Sequence, residues 1–255
     1  MSDYNGNFVW YDLMSKDPAG AEAFYTKLIG WETETWDGPA EYKMFKAGGT
    51  TIGGLMQLPE EAEKAGAPSL WIAYVATSDL DASFEKMKSL GGDAKVPPTD
   101  IPTVGKFAIF TDPQGALIAM FQPNGDAPAP ASGPGFISWH ELLTSDLEAG
   151  LKFYEALFGW NKTQAMDMGP EMGTYQMYGR GERTFGGMMR RPPNVPVSCW
   201  LYYITVADIR QSLDNVQKLG GQVIHGPQEV PGGDLVAQCM DPQGAMFALH
   251  EHAGS

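Results

Sequence analysis

An internal repeat constrains this sequence more than any other feature. The segment VWYDLMSKDPAGAEAFYTKLIGW at 9–31 returns 129 positions later, at 138–160, as SWHELLTSDLEAGLKFYEALFGW. The run DPQGA recurs with the same shift, at 112–116 and 241–245. Repeats of solenoid proteins span about 20–50 residues, so a duplicated unit of about 120 residues is a whole domain. The sequence therefore predicts two similar domains in tandem.

The segment between the two copies has the composition of a linker. Residues 123–135 read PNGDAPAPASGPG, which is rich in Pro, Gly and Ala and has no apolar periodicity. Such a segment is expected to be extended rather than packed. We therefore predict a first domain over 1–122, a linker over 123–135 and a second domain over 136–255.

Each copy contains a weaker repeat of its own, a strand and a helix followed by short strands. In the first copy FVWYDLMS alternates as a strand does, and Asp17 followed by Pro18 begins an amphipathic helix that ends at Gly30. The pattern restarts at LWIAYVAT. One helix covers one face of a small sheet, and the other face needs a second sheet. Two such units can curl toward each other and enclose a cleft, which predicts an α+β fold.

Composition excludes several classes of partner. Seventeen Lys and Arg stand against 31 Asp and Glu, a net charge of −14, whereas a nucleic-acid binder needs a cationic stripe. No apolar run reaches the roughly 18–20 residues of a membrane helix, and the first 20 residues lack the apolar core of a secretory signal. Cys199 and Cys239 are expected to be free thiols in a reducing compartment. We therefore expect a cytoplasmic protein with a small-molecule ligand, either a monomer with an internal pseudo-twofold axis or a homodimer.

The order of the repeated motifs resembles a known superfamily. Asp17, Phe24-Tyr25 and Gly30-Trp31, then a helix stopped by Gly91-Gly92, then the turn at 112–115, occur twice in the same order. This order resembles the vicinal oxygen chelate superfamily, which includes glyoxalases, extradiol dioxygenases and bleomycin-resistance proteins. The resemblance implies tandem glyoxalase-like domains, each with two βαβββ modules that enclose a cleft between curved mixed sheets.

The resemblance also implies where a metal would bind, and the donors are missing there. In metal-dependent relatives the ligands are His, Gln and Glu. Indole has no free lone pair for a cation and alanine has no donor atom. The resemblance therefore implies that neither cleft holds the usual metal, and no cofactor is expected. The matching positions in this chain are Trp10, Trp71 and Ala119 in the first copy, and Trp139, Trp200 and Ala248 in the second.

If the tryptophans face the clefts, strand alternation brings further side chains to the same faces. Apolar walls with a few polar groups are typical of a small-molecule site, although the tryptophans could instead be core packing. The carboxylates and one histidine are candidate proton-transfer groups, with a solvated C-terminal tail as the alternative for the histidine. The candidate catalytic residues are Asp12, Glu141 and His250; the candidate ligand-binding residues are Trp10, Trp71, Trp139, Trp200, Tyr202 and Phe121.

Three functions remain open on this basis. The first is a glyoxalase/bleomycin-resistance-type binding protein for an aromatic or apolar ligand, without the usual metal quartet. The second is a lyase or dioxygenase with one divalent metal displaced into the second domain. Its ligands would come from His140, Glu141, His250 and His252. The third is a non-catalytic interaction protein. Whether the chain is an enzyme stays open.

Overall fold

The computed structural model describes residues 4–38, 40–125 and 131–254. Residues 126–130 of the predicted linker lie outside this part, so the domain boundaries stay a prediction. The helices are α1 (Pro18–Ile29), α2 (Glu60–Lys64), α3 (Leu80–Ser89), α4 (Leu147–Phe158) and α5 (Ile209–Lys218). The strands are β1 (Phe8–Ser15), β2 (Glu32–Thr35), β3 (Lys43–Ala47), β4 (Thr50–Gln57), β5 (Leu70–Ala76), β6 (Asp93–Ile101), β7 (Gly105–Thr111), β8 (Leu117–Pro123), β9 (Ile137–Thr144), β10 (Asn161–Asp167), β11 (Thr174–Arg180), β12 (Arg183–Arg190), β13 (Cys199–Thr205), β14 (Gln222–Glu229), β15 (Leu235–Met240) and β16 (Met246–Glu251).

The first helix of each copy begins and ends at the residues that the sequence marks. The Asp17 carboxylate accepts the Gly20 N–H at 3.0 Å, and the Asp146 carboxylate accepts the Ala149 N–H at 3.0 Å. These bonds satisfy backbone donors that have no partner within the helix. Gly30 ends α1 with φ +82°, a left-handed conformation that glycine adopts without a steric cost. The predicted caps of α1 are therefore confirmed.

The strands form two mixed sheets, one from each copy of the repeat. The first has the order β2-β3-β4-β1-β5-β8-β7-β6, and the second has the order β10-β11-β12-β9-β13-β16-β15-β14. Within each module the first strand pairs in parallel with the last, as β1 does with β4, and the remaining neighbours are antiparallel. The α+β fold of four βαβββ modules is confirmed.

The described residues divide into two compact units that do not coincide with the two copies. One unit contains residues 73–125 and 139–200, together with the N-terminal residues up to 9. The other contains residues 10–72 and 201–254, together with 131–138. Each unit thus combines one module of the first copy with one module of the second.

Within each compact unit, a helix tyrosine of one copy bonds to the aspartate of the DPQG turn of the other copy. Tyr154 on α4 donates its hydroxyl proton to Oδ2 of Asp112 at 3.1 Å, and Tyr25 on α1 does the same to Asp241 at 3.2 Å. The other carboxylate oxygen of Asp112 accepts two backbone N–H groups of its own DPQG turn, at 2.9 Å each. Each DPQG aspartate therefore holds its turn together and binds a helix tyrosine from the other copy.

None of the described helices is long and apolar enough to cross a lipid bilayer. Both cysteines are free thiols, Cys239 buried and Cys199 partly buried. Burial raises the pKa of the Cys199 thiol to about 11 and that of the Cys239 thiol to about 12. Both are therefore protonated at neutral pH.

Candidate functional site

In the first copy, an indole, a carboxylate and a phenol meet beside β1. The Trp10 Nε1–H is shared between Asp12 Oδ1 and the Tyr42 hydroxyl oxygen, each at 2.8 Å. The Tyr42 hydroxyl in turn donates to Asp12 Oδ1 at 2.6 Å. Asp12 is only 5% exposed, and its Oδ1 accepts hydrogen bonds from both side chains at this buried position.

The second copy builds the same arrangement from the matching positions. Trp139 Nε1–H donates to the Tyr175 hydroxyl oxygen at 2.8 Å, and that hydroxyl donates to Glu141 Oε2 at 3.1 Å. Glu141 is 6% exposed. Glutamate is one methylene longer than aspartate, and the indole reaches the carboxylate through the phenol. We call these two groups the indole–phenol–carboxylate sites: Trp10, Tyr42 and Asp12 in the first copy, and Trp139, Tyr175 and Glu141 in the second.

A glycine makes room for each phenol. Asp12 lies opposite Gly54 in the register of β1 and β4, and Glu141 lies opposite Gly187 in the register of β9 and β12. A Cβ atom built on Gly54 would overlap the Tyr42 phenol, and one built on Gly187 would overlap the Tyr175 ring. Absence of a side chain at these strand positions therefore permits the phenol to reach the carboxylate.

Both phenols are held in their protonated form. Burial and the neighbouring carboxylate raise the pKa of Tyr42 and the pKa of Tyr175 well above the ordinary range for tyrosine. A protonated phenol donates one hydrogen bond, and here the carboxylate receives it. The arrangement thus fixes the indole plane by hydrogen bonds at its nitrogen edge.

An apolar cluster surrounds the site of the second copy. Its buried members are Leu143, Tyr175 and Met189. Methionine is flexible and polarisable, so it adapts to differently shaped apolar surfaces. Methionine side chains therefore contribute to the apolar surroundings of Trp139. The partly buried side chains packed against the cluster are Trp139, Met166, Met172, Met177, Val195 and Cys199.

The structure places Trp71 and Trp200 away from these sites, which corrects their predicted position. The Trp71 indole donates to the Tyr25 hydroxyl at 2.9 Å, and the Trp200 indole donates to the Tyr154 hydroxyl at 3.2 Å. Trp71 packs edge-to-face on Tyr25 with ring centroids 5.3 Å apart. Both indoles are buried aromatic core beneath the first helix of each copy, which was the alternative left open by the sequence.

Strand alternation explains this error. Trp10 lies seven residues before the helix cap Asp17, whereas Trp71 lies eight residues before the cap Asp79. Successive side chains of a strand point to opposite faces, so a difference of one residue reverses the face. Counting back from the helix cap would have separated Trp71 from Trp10 in the sequence.

Tyr202 and Phe121 each lie beside another aromatic side chain. The rings of Tyr202 and Tyr11 are 5.7 Å apart, and Tyr11 is the neighbour of Trp10 on the opposite face of β1. Phe121 is half-buried and lies opposite Phe107 in the register of β7 and β8. A Cβ atom on Gly105 would lie 2.7 Å from the Phe121 ring, so this ring covers a glycine.

His140 is a core residue. Its ring stacks on Phe8 with centroids 3.7 Å apart, and its Nδ1 lies 2.8 Å from the Phe185 carbonyl oxygen. Burial lowers the pKa of His140 to about 3, so the ring is neutral at physiological pH. The ring stacking and the bond to Phe185 therefore place His140 in the aromatic core.

His250 pairs with an aspartate that the sequence analysis did not select. Its Nε2 lies 2.8 Å from Asp234 Oδ2, and its Nδ1 lies 2.8 Å from Ser138 Oγ. The predicted partner, Glu141, instead accepts from Tyr175 and belongs to the other compact unit. Burial lowers the pKa of His250, while Asp234 opposes this shift.

Sequence reasoning thus selected the indole and the carboxylate of each site but missed the phenol. Tyr42 and Tyr175 do match in the repeat, with a shift of 133 rather than 129, because the second copy has four extra residues before β11. That match was a usable signal. Asp234 had no such signal, since it precedes a strand in a hairpin whose pairing with β16 only the fold defines.

The structure contains four βαβββ modules in two mixed eight-stranded sheets. This is the architecture of glyoxalase-like proteins, which the order of the sequence motifs predicted. The family sequence model of the Glyoxalase/Bleomycin resistance protein/Dioxygenase superfamily matches residues 7–120 of this chain and again residues 136–249. The chain belongs to this superfamily, with two tandem glyoxalase-like domains.

Curated relatives match over nearly the full length. "Putative glyoxylase CFP32" of Mycobacterium tuberculosis is 33% identical over 245 residues, covering 94% of this chain and 92% of the relative. The anthracycline biosynthesis protein DauV of Streptomyces sp. (strain C5) is 28% identical over 258 residues, covering 95% and 92%.

Solved structures share the fold at low identity. The 2,3-dioxygenase LapB from Pseudomonas sp. KL28 superposes with a TM-score of 0.69 at 12% identity, covering 98% of this chain and 94% of that one. The Mn(II)-bound glyoxalase from Novosphingobium aromaticivorans superposes with a TM-score of 0.65 at 17% identity, covering 97% and 82%.

Proposed function

We propose that this chain is a small-molecule binding protein of the glyoxalase/bleomycin-resistance type, with an aromatic or otherwise apolar ligand at each indole–phenol–carboxylate site. The observation that carries this proposal is the recurrence of the same three groups in both copies, in contact each time. Duplication also copies core packing, but these indoles are only half-buried, whereas Trp71 and Trp200 are core.

The chemistry of the site favours a planar ligand that carries a donor group. An indole fixed by its N–H edge offers its π-face to a stacked ring or a cation. The carboxylate accepts a proton from a hydroxyl or amine, and the methionines adapt to the remaining apolar surface. The net charge of −14 disfavours binding of nucleic acid, which is also negatively charged, and favours binding of a neutral or cationic small molecule.

The family's usual metal does not fit these positions. Trp10 and Trp139 stand where the resemblance places a nitrogen or oxygen ligand, and Ala119 and Ala248 are buried methyl groups in β8 and β16. In the described part of the chain, the one group of three potential ligands contains neither Asp12 nor Glu141. We therefore propose that both sites work without the usual metal quartet, by sequestration of the ligand or by proton transfer at the carboxylate.

The names of two relatives support an aromatic ligand. DauV and the DnrV protein of Streptomyces peucetius are both named as anthracycline biosynthesis proteins, and anthracyclines contain fused aromatic rings.

We also propose that the protein is located in the cytoplasm. Its two cysteines are free thiols, which is typical of proteins in a reducing compartment.

Titration of chelator-treated, desalted protein with 9-aminoacridine, a planar cation, tests the proposal. We expect quenching of probe and tryptophan fluorescence. Glu141→Gln keeps the shape of the side chain and removes its charge, so binding at the second copy should weaken about tenfold, or about 1.4 kcal/mol. Glu155→Gln, the same change on the exposed surface of α4, is the matched control and should bind as the wild type does.

Two outcomes would contradict the proposal. One is equal weakening by Glu141→Gln and Glu155→Gln, which would indicate a general effect of net charge. The other is binding that appears only after a stoichiometric divalent metal is restored to the protein.

A further inference from the structure

Two histidines and an aspartate meet at the C-terminal hairpin of the second copy, outside the indole–phenol–carboxylate sites. Oδ2 of Asp234 lies 2.8 Å from His250 Nε2 and 3.3 Å from His252 Nδ1. The three ligand atoms all lie within 4.8 Å of one another. Asp234 precedes β15, His250 is in β16 and His252 directly follows it, so hairpin pairing brings the three together.

These distances resemble those within a metal site. Ligand atoms about 2.0–2.1 Å from a tetrahedral ion lie about 3.3 Å from one another. Imidazole nitrogen with a carboxylate oxygen is the donor set of Zn²⁺, Ni²⁺ and related divalent ions. His250 is buried while His252 is half exposed, which gives an ion an anchored side and an open side.

Other groups already orient two of the three side chains. Ser138 Oγ lies 2.8 Å from His250 Nδ1 and is 3.3 Å from the Tyr203 carbonyl oxygen, to which it donates. Oδ1 of Asp234 accepts the Ala253 N–H at 2.8 Å, so Oδ2 is the oxygen directed at the histidines. Hydrogen bonds that fix the second nitrogen of a ligating histidine are typical of protein metal sites.

The first copy shows that the fold does not require these residues. At the matching positions, 129 residues earlier, it has Gly105, Phe121 and Pro123. The Phe121 ring packs over Gly105 and occupies this position with apolar atoms. The His–His–Asp set is therefore an addition particular to the second copy rather than a packing requirement of the module.

We propose that Asp234, His250 and His252 form a binding site for one divalent transition-metal ion, of the Zn²⁺ or Ni²⁺ class, per chain. This proposal goes beyond the ligand-binding function and does not rest on it. It also differs from the displaced site considered from the sequence, because Asp234 replaces Glu141 and His140 has no part. The ion would keep solvent-facing positions on the side of His252.

Calorimetric titration of the full-length, chelator-treated protein with Zn²⁺ tests the site, and Co²⁺ absorption reports its geometry. We expect one Zn²⁺ per chain. His252→Ala removes an exposed ligand and should weaken binding by at least tenfold. His225→Ala is the matched control, since His225 is an exposed histidine of the same copy that pairs with Gln228 outside the cluster.

The double variant Asp234→Gly with His250→Phe introduces the residues that the first copy has at these positions, Gly105 and Phe121, which are compatible with the fold. It should abolish Zn²⁺ binding. Its near-ultraviolet circular dichroism spectrum should be unchanged, which shows that the protein is folded. Unchanged stoichiometry and affinity in His252→Ala would overturn the proposal. Equal losses in His252→Ala and His225→Ala would also overturn it, because they would indicate nonspecific binding to surface histidines. None of these results bears on 9-aminoacridine binding, so the two proposals fail separately.

Discussion

Each phenol reaches its carboxylate because the strand residue beneath it has no side chain. Gly187→Ala places a methyl group against the Tyr175 ring. We expect this overpacking to lower the free energy of unfolding by about 1–3 kcal/mol and to weaken 9-aminoacridine binding, because the ring must move. Urea unfolding and fluorescence titration measure the two effects.

Gly150→Ala is the matched control for this prediction. Gly150 lies within α4, and a methyl group there would have its nearest neighbour at 3.7 Å, an ordinary contact. Alanine in a helix interior is favoured over glycine by about 0.5–1 kcal/mol, so this variant should be slightly more stable and bind normally. Destabilisation of similar size in both variants would show that Tyr175 needs no space at Gly187.

His140 makes folding sensitive to acid. Its pKa is about 3 in the folded protein and 6.5 as a free group, so between these values the unfolded chain binds more protons. Stability from this residue is therefore present above pH 6.5 and falls as the pH falls toward 3. Between pH 7 and pH 5 the wild type should lose about 2 kcal/mol more than His140→Gln.

Urea unfolding at the two pH values gives this difference directly. The absolute stability of His140→Gln does not enter, since only the change with pH is compared. Equal losses in the two proteins would mean that the ring is protonated in the folded state despite its stacking on Phe8.

At the scale of secondary-structure elements, the helix tyrosine of one copy is bound to the DPQG turn of the other. A double-mutant cycle between Tyr154→Phe and Asp112→Asn should give a coupling of about 0.5–3 kcal/mol, because the two groups share a buried hydrogen bond. Asparagine retains the oxygen that accepts the turn N–H groups. The free energy of unfolding in urea is the quantity measured.

The control cycle combines Tyr154→Phe with Asp241→Asn, the DPQG aspartate of its own copy. Asp241 binds Tyr25 instead, so these two changes should add to within about 0.5 kcal/mol. Coupling in this second cycle and additivity in the first would mean that the modules exchange partners in solution.

For the whole molecule, the duplication predicts two different stoichiometries. Indole–phenol–carboxylate sites occur in both copies, so two molecules of 9-aminoacridine should bind per chain. Only one Zn²⁺ should bind, because the first copy has Gly105, Phe121 and Pro123 in place of the three metal ligands. Asp12→Asn and Glu141→Gln should each leave one tight site for the probe. Calorimetry of the two single variants and the double variant measures this.

A single probe site that either variant removes would show that one shared site exists per chain. Loss of both sites in each single variant would likewise contradict independent copies. Retention of two tight sites in the double variant would place the ligand elsewhere on the molecule.

The sequence alone determined the features that depend on local order. Repeat spacing gave two domains and four modules, and Asp17 and Gly30 marked a helix whose ends need only neighbouring residues. Trp10 with Asp12, and Trp139 with Glu141, followed from strand alternation over two residues. These predictions needed no knowledge of which elements pack together.

Only the tertiary structure decided which distant side chains meet. Trp71 is one residue further from its helix cap than Trp10 is, so the two side chains lie on opposite faces of the sheet. Which face is buried depends on the element that packs on it, and Trp71 packs against Tyr25 of α1. Tyr175 reaches Glu141, and Asp234 reaches His250, through strand pairings that join residues 34 and 16 positions apart. Hydrogen bonds act over about 3 Å, so these partners are set by the register of the folded sheets, which residue order does not specify.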